Sequence, residues 1–251
     1  AAVTRTANTT TVWAEPTVSA LSPEKCNQLA QELISHTGKV VSFNGASFDF
    51  RILALHVTTR ELRKALVHTA VYNHCDIMLD FLSSTGYCAS LDSFLQGLCS
   101  HFFSSRALAF RVCLVRSAVW APLTLPLFVR ARRGCEGCEL ETKIWSGSES
   151  AELCLESEEY FQKTIEYCTG DVVALENLWT FLTTRGFLAR KTKAGTVQNW
   201  VPFAGSTIRV VNLCVKAYRK CPTNTSWMST PGPTPETCLQ WIAALSQDGK
   251  L

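Results

Sequence analysis

A chain of 251 residues, 47% hydrophobic and 18% charged, can bury a sizeable core and carries no sign of global disorder. Its length suggests one or two domains, and a formal net charge of +3 names no polyanionic partner unless the positive charge is gathered locally. Twelve cysteines do not make a small disulfide scaffold. Cys26, Cys75, Cys88, Cys154, Cys168, Cys214 and Cys238 stand singly in apolar or helical patterns, as small buried hydrophobes do in an intracellular, reducing compartment. Cys135 and Cys138 are the only close pair, and with no second pair at ligand spacing they do not argue for zinc. No basic-then-apolar leader opens the chain, and the absence of an initiator methionine suggests a fragment. The stretch from Ala107 to Val129 is interrupted by Arg111, Arg116, Pro122 and Pro126. Each central arginine would cost about 2.5–3.5 kcal/mol in a bilayer, so no membrane span is expected.

In chain order, Ala2 to Arg5 and Thr10 to Trp13 are β-prone runs about a polar connection and predict a hairpin. Ser22 as N-cap and Pro23 in the first turn open a helix to about Ser35. Lys39 to Phe43 reads as a brief buried strand, and Asn44-Gly45 turns it into a helix from about Ala46 to Leu55. Helical pattern continues over Thr59–Leu66 and Asp76–Leu82, Gly86 breaks it, and Ser90 caps a helix through Leu98. From 99 to 139 the character changes. No acidic residue separates Asp92 from Glu136, six arginines and no lysine occur, and no clean period emerges. An irregular segment of that length within a compact domain is unusual. It reads as an insertion, or as sequence never meant to be translated. Lys143 to Ser150 is a polar loop. A long helix follows from about Glu156 to Thr184, with an apolar stripe Phe161, Ile165, Cys168, Val172, Leu175, Trp179 and Leu182 in steps of four and three. Gly186 ends it. A strand-turn-strand over Phe187 to Val201, an apolar segment from Ile208 to Tyr218, a Pro/Thr/Ser-rich stretch from Pro222, and a last helix started by Thr234-Pro235 complete the chain. Alternating strands and helices indicate an α/β class.

Two acids stand apart. Asp49 falls in the first turn of a helix launched from a buried strand, the end of an open α/β sheet at which ligands bind. Taken alone, an aspartate there reads first as a good helix start. Asp171 lies four residues after Tyr167, on the same helix face, a pairing that surface helices also carry. Asp76 and Asp80, four apart, could pair on a helix and read as structural or substrate-side.

Together, Asn44-Gly-x-x-Phe48-Asp49 and Tyr167-x-x-x-Asp171 resemble the second and third motifs of the DnaQ-like 3′–5′ exonucleases in their tyrosine-containing (DEDDy) subgroup. The family that the chain resembles most is the predicted exonuclease family related to the proofreading domain of family B DNA polymerases. The resemblance extends through Asp76-Ile77-Met78-Leu79-Asp80-Phe81, Gly86-Tyr87, Ser90-Leu91-Asp92, Lys143-Ile144-Trp145-Ser146-Gly147, Lys193-Ala194-Gly195, Thr225-Ser226-Trp227-Met228 and Trp241-Ile242. It covers nearly everything outside 99–139. It implies a ribonuclease H-like fold, a mixed central sheet flanked by helices, built from 1–98 and 140–251 with 99–139 as an irregular insertion. It also implies a two-metal phosphodiester hydrolysis in which Mg²⁺ or Mn²⁺ is held by four carboxylates, here Asp49 and Asp171, with Tyr167 orienting the attacking water. The partner implied is nucleic acid, a single-stranded 3′ end, met by Asn44 and Phe48. Arg190, Lys191 and Lys193, with Trp200 and Phe203 nearby, could guide a strand by charge and stacking, or could be an exposed basic hairpin. The family's opening Asp-x-Glu occurs nowhere in this sequence. The opening hairpin resembles the second and third strands of the fold, so the first strand is expected to be missing and this chain is expected to cleave poorly. A catalytically dead nucleic-acid-binding or structural domain is the alternative.

Overall fold

A computed structural model describes residues 1–6, 9–104, 156–202 and 210–220. The Cys135/Cys138 pair, most of the irregular block, the loop 143–150, Phe203, the motifs at 225–228 and 241–242 and the helix start at Thr234 lie outside them. The described residues form an α/β arrangement of seven helices and six strands.

The chain opens with the expected hairpin: β1 (Ala2–Thr6) and β2 (Thr9–Trp13) pair antiparallel, Ala2 opposite Trp13 and Thr6 opposite Thr9. The Trp13 indole N–H donates to Thr4 Oγ1 at 3.1 Å, tying the two strands side chain to side chain. Helix α1 (Pro23–Ser35) starts where the capping chemistry places it, with Ser22 Oγ accepting from Lys25 N at 3.4 Å and Pro23 in the first turn. Strand β3 (Val40–Ser42) is followed by α2 (Asp49–His56) and α3 (Arg60–Tyr72), and the chain then returns as β4 (His74–Asp76). β3 and β4 run parallel, with Val40, Val41 and Ser42 opposite His74, Cys75 and Asp76. Parallel neighbours need a long crossover, and α2 with α3 supplies it. Helix α4 (Ile77–Thr85) leaves β4 directly.

These elements share one apolar core. Leu29 and Ala30 of α1, Phe50 and Leu53 of α2, Leu66, Ala70 and Val71 of α3, and Leu79 and Leu82 of α4 all contribute to it. So do Leu213, Cys214 and Ala217 of the last described helix, α7 (Val210–Lys220). Gly86 ends α4 in the left-handed region at φ 85°. A Cβ there would come 2.7 Å from the Lys220 carbonyl, so glycine serves both the turn and the close approach of α7.

The chain divides into two compact units. The first holds β1 to α4, α7, and the long helix α6 (Glu158–Arg185) up to Leu175; the second holds α5 (Leu91–Ser104), the rest of α6, and a hairpin. That hairpin is β5 (Leu188–Lys191) with β6 (Val197–Trp200), antiparallel. In the second unit Gly97 of α5 presses against the Ala189–Arg190 backbone of β5, and the rings of Phe94 and Trp200 lie 5.9 Å apart.

Three expectations need correction. Among the described residues the strands form three two-stranded sheets, not one mixed central sheet. Strand β4 takes in Asp76, with which the sequence pattern opens a helix: three residues, His-Cys-Asp, are too few for an alternation to show. The stripe on α6 is buried at its ends, Phe161 and Leu182, and half-buried between them, while Leu178 and Phe181 are the further buried positions. No helix among the described residues is long and apolar enough to cross a membrane.

Candidate functional site

The turn from β3 into α2 is held by side chains from the strand beside it. Asp76 ends β4 and is only 1% exposed. Its Oδ1 accepts from Asn44 N at 2.9 Å and from Leu79 N at 3.1 Å, and its Oδ2 accepts from Ala46 N at 2.8 Å. The middle amide of the turn, Gly45 N, donates to Ser42 Oγ at 3.0 Å. Three consecutive N–H groups (Asn44, Gly45 and Ala46) are therefore committed sideways, to β4 and β3. Helix α2 accordingly begins at Asp49, not at Ala46 as the sequence pattern suggested. Asn44 sits in the left-handed region at φ 71°, a conformation that asparagine tolerates better than most residues. Its Oδ1 accepts from the Ser47 hydroxyl.

Ser42 Oγ also lies 2.6 Å from His74 Nε2. His74 is buried, its ring centroid is 4.6 Å from that of Phe50, and burial holds its pKa below the ordinary histidine value against the opposing pull of Asp76. The neutral ring is thus favoured. Ser42 Oγ and His74 Nε2 share one hydrogen, and which of them donates it depends on the ring's tautomer.

Asp49 itself keeps access to solvent. The atoms packed round its carboxyl nevertheless raise the pKa from 3.8 to about 6, burial being the larger cause and the charge of Asp76 the next. Gly45 makes room for it: a Cβ at that position would stand 3.3 Å from Asp49 Oδ2 and 2.6 Å from Ser42 Cβ. Asp49 opens α2, where the helix dipole favours a negative charge. Next to it, Phe48, Ile52 and Leu55 are 57%, 42% and 70% exposed. Spaced by four and three, they make one apolar stripe on α2, with the exposed Arg51 bordering it.

The remaining predicted residues stand as follows. Tyr167 and Asp171 are one turn apart on α6, both half-buried, in the part of that helix that belongs to the first unit. Arg190, Lys191 and Lys193 are on the β5–β6 hairpin of the second unit, and the Arg190 guanidinium donates to Gln198 Oε1 at 2.9 Å across the strands. The pairing imagined for Asp76 and Asp80 on one helix is not the role of Asp76, which caps α4 from outside and spends both oxygens on backbone amides. Asp76, Ser42 and His74 were the residues that sequence reasoning missed as partners of the turn. An aspartate directly before the apolar run Ile77-Met78-Leu79 is the capping signal that marks the first of them.

Asp49 and Asp171 offer hard carboxylate oxygens, which suit Mg²⁺ or Mn²⁺ in kind. Among the described residues no group of three or more His, Cys, Asp or Glu is placed to hold a metal ion. Burial pushes the thiols of Cys75 and Cys214 up to about 12. No family model matches this chain, and neither a curated protein nor a solved structure matches it.

Proposed function

We propose that this chain carries the second and third motifs of a metal-dependent 3′–5′ exonuclease with a ribonuclease H-like fold. In this reading Asp49 and Asp171 are two of its four metal-binding carboxylates, and Tyr167 orients the attacking water. The observation that carries the reading is the state of Asp49. The carboxyl belongs to an exposed residue at the start of the helix that follows a parallel strand, and packing round it raises its pKa to about 6. Its negative charge is poorly compensated by the protein, and a divalent cation is the ligand that would compensate it.

One further feature supports the same reading. The apolar stripe Phe48, Ile52 and Leu55 with Arg51 next to Asp49 suits the unstacked bases of a single-stranded end, since aromatic and cationic groups side by side bind bases without regard to sequence. Such a surface serves DNA and RNA alike.

The test is hydrolysis of a 3′-labelled single strand with Mg²⁺ or Mn²⁺ by the protein completed with an Asp-x-Glu strand, compared with Asp49→Ala and Asp171→Ala. Each variant is expected to lose at least about a hundredfold in rate, the scale on which a preorganised electrostatic contact to the transition state counts. Tyr167→Phe is expected to lose less. Undiminished cleavage by either alanine variant would end the site assignment. Strand binding without any cleavage would make the domain a nucleic-acid binder that has kept the fold and lost the chemistry.

A further inference from the structure

We propose that Asp76, together with the Ser42–His74 pair beside it, forms a positioning device for Asp49, fixing the backbone of residues 44–46 and thereby the direction in which the Asp49 carboxyl points. Only the use made of Asp49 rests on the exonuclease reading. The positioning stands on geometry.

Three successive amide N–H groups in a tight turn with one residue at positive φ form a concavity that binds anions. In this chain the concavity is filled from within. Asp76 Oδ1 and Oδ2 take the outer two amides at 2.9 and 2.8 Å, and Ser42 Oγ takes the middle one at 3.0 Å. The two acceptors face each other in register across the parallel pair, Ser42 opposite Asp76. His74, two residues before Asp76, holds Ser42 Oγ from the other side at 2.6 Å. The turn then feeds α2 through Phe48 N to Asn44 O at 3.1 Å and Phe50 N to Gly45 O at 2.9 Å. Asp49 lies between those two bonds, so the direction of its Cα–Cβ bond follows the backbone of residues 44–46. A carboxylate suits this task because it offers acceptors only. An asparagine in its place would turn an NH₂ toward at least one of the amides.

The test uses the full chain, ¹⁵N-labelled, as wild type, Asp76→Asn, Ser42→Ala and the core variant Leu66→Ala. Two quantities are read: hydrogen exchange at the amides of residues 44–46, and broadening of the Phe48, Asp49 and Phe50 amides by added Mn²⁺ alone. Asp76→Asn is expected to speed exchange at whichever of Asn44 and Ala46 then faces its NH₂ about tenfold or more, the factor that follows from losing one hydrogen bond to a charged acceptor, and Ser42→Ala to do so at Gly45. Both are expected to weaken the Mn²⁺ effect, whereas Leu66→Ala, which destabilises the same core without touching the turn, is expected to change neither. Unchanged exchange at residues 44–46 in a folded Asp76→Asn protein overturns the proposal. So does Leu66→Ala reproducing the loss, because a general loosening would then account for it. If Asp76→Asn does not fold, the milder Ser42→Ala decides alone through Gly45. A wild-type chain with no Mn²⁺ effect but with the expected exchange changes would refute the metal reading of Asp49 and support the positioning.

Discussion

Gly45→Ala puts the architecture of the turn to its most direct test. The backbone of Gly45 is not in the left-handed region, so the substitution meets no conformational penalty and its cost is one of space. The new methyl would stand 2.6 Å from Ser42 Cβ and closer still to Ser42 Oγ, with Asp49 Oδ2 at 3.3 Å. Ser42 has little room to yield. Its Cβ is fixed to strand β3, and its Oγ is held between His74 Nε2 at 2.6 Å and Gly45 N at 3.0 Å. The turn must therefore lift away, at about 1–3 kcal/mol for overpacking plus about 1 kcal/mol for the Gly45 N–H bond that lifting breaks. A loss of about 2–4 kcal/mol corresponds to a fall in Tm of roughly 5–15 °C for a chain of this size. Urea titration followed by tryptophan fluorescence reads it, as a lower midpoint at unchanged slope. A Gly45→Ala midpoint corresponding to less than about 0.5 kcal/mol of change, the level of an ordinary surface substitution, would refute the packing described for this turn.

Gly170→Ala is the opposite case: nothing lies within 4 Å of where its Cβ would be, in the middle of α6, so thermal denaturation should show a gain of about 0.5–1 kcal/mol from helix propensity. Gly97→Ala should be among the costliest single changes in the second unit, because the methyl would stand 2.5 Å from Arg190 N and meet the Ala189 carbonyl. Backbone cannot rotate away as a side chain can, and a loss of about 3 kcal/mol or more by urea titration is expected. For Asp49, a folded pKa of about 6 against 3.8 unfolded means that between about pH 4 and pH 6 the folded state holds the extra proton. Stability from this group is therefore present below that window and is lost as pH rises through it. Asp49→Asn removes the effect, so its urea midpoint should gain on that of wild type from pH 4 to pH 7; a constant difference would show that Asp49 titrates normally.

Local chemistry made a good part of this protein readable from its residues alone. The α/β class, the opening hairpin, the Ser22-Pro23 start of α1, the end of α4 at Gly86 and the long helix ended by Gly186 all follow from near neighbours: a capping hydroxyl, a ring that sets φ, a residue without Cβ, a period of 3.6. The position of Asp49 at a helix start beside a strand was legible for the same reason, since strand, turn and helix are contiguous in the chain. What the tertiary structure decided is the pairing of segments far apart in sequence. Strand β4 is too short to announce itself and exists because β3 gives it a partner about thirty residues upstream. Asp76 is one more acid in an apolar run until that pairing brings it opposite Ser42 and under the amides of the 44–46 turn. The same juxtaposition raises the pKa of Asp49, through burial and a second carboxyl that no local pattern connects to it. Hydrogen-bond partners and electric fields act through space, and only the folded chain says which residues share it.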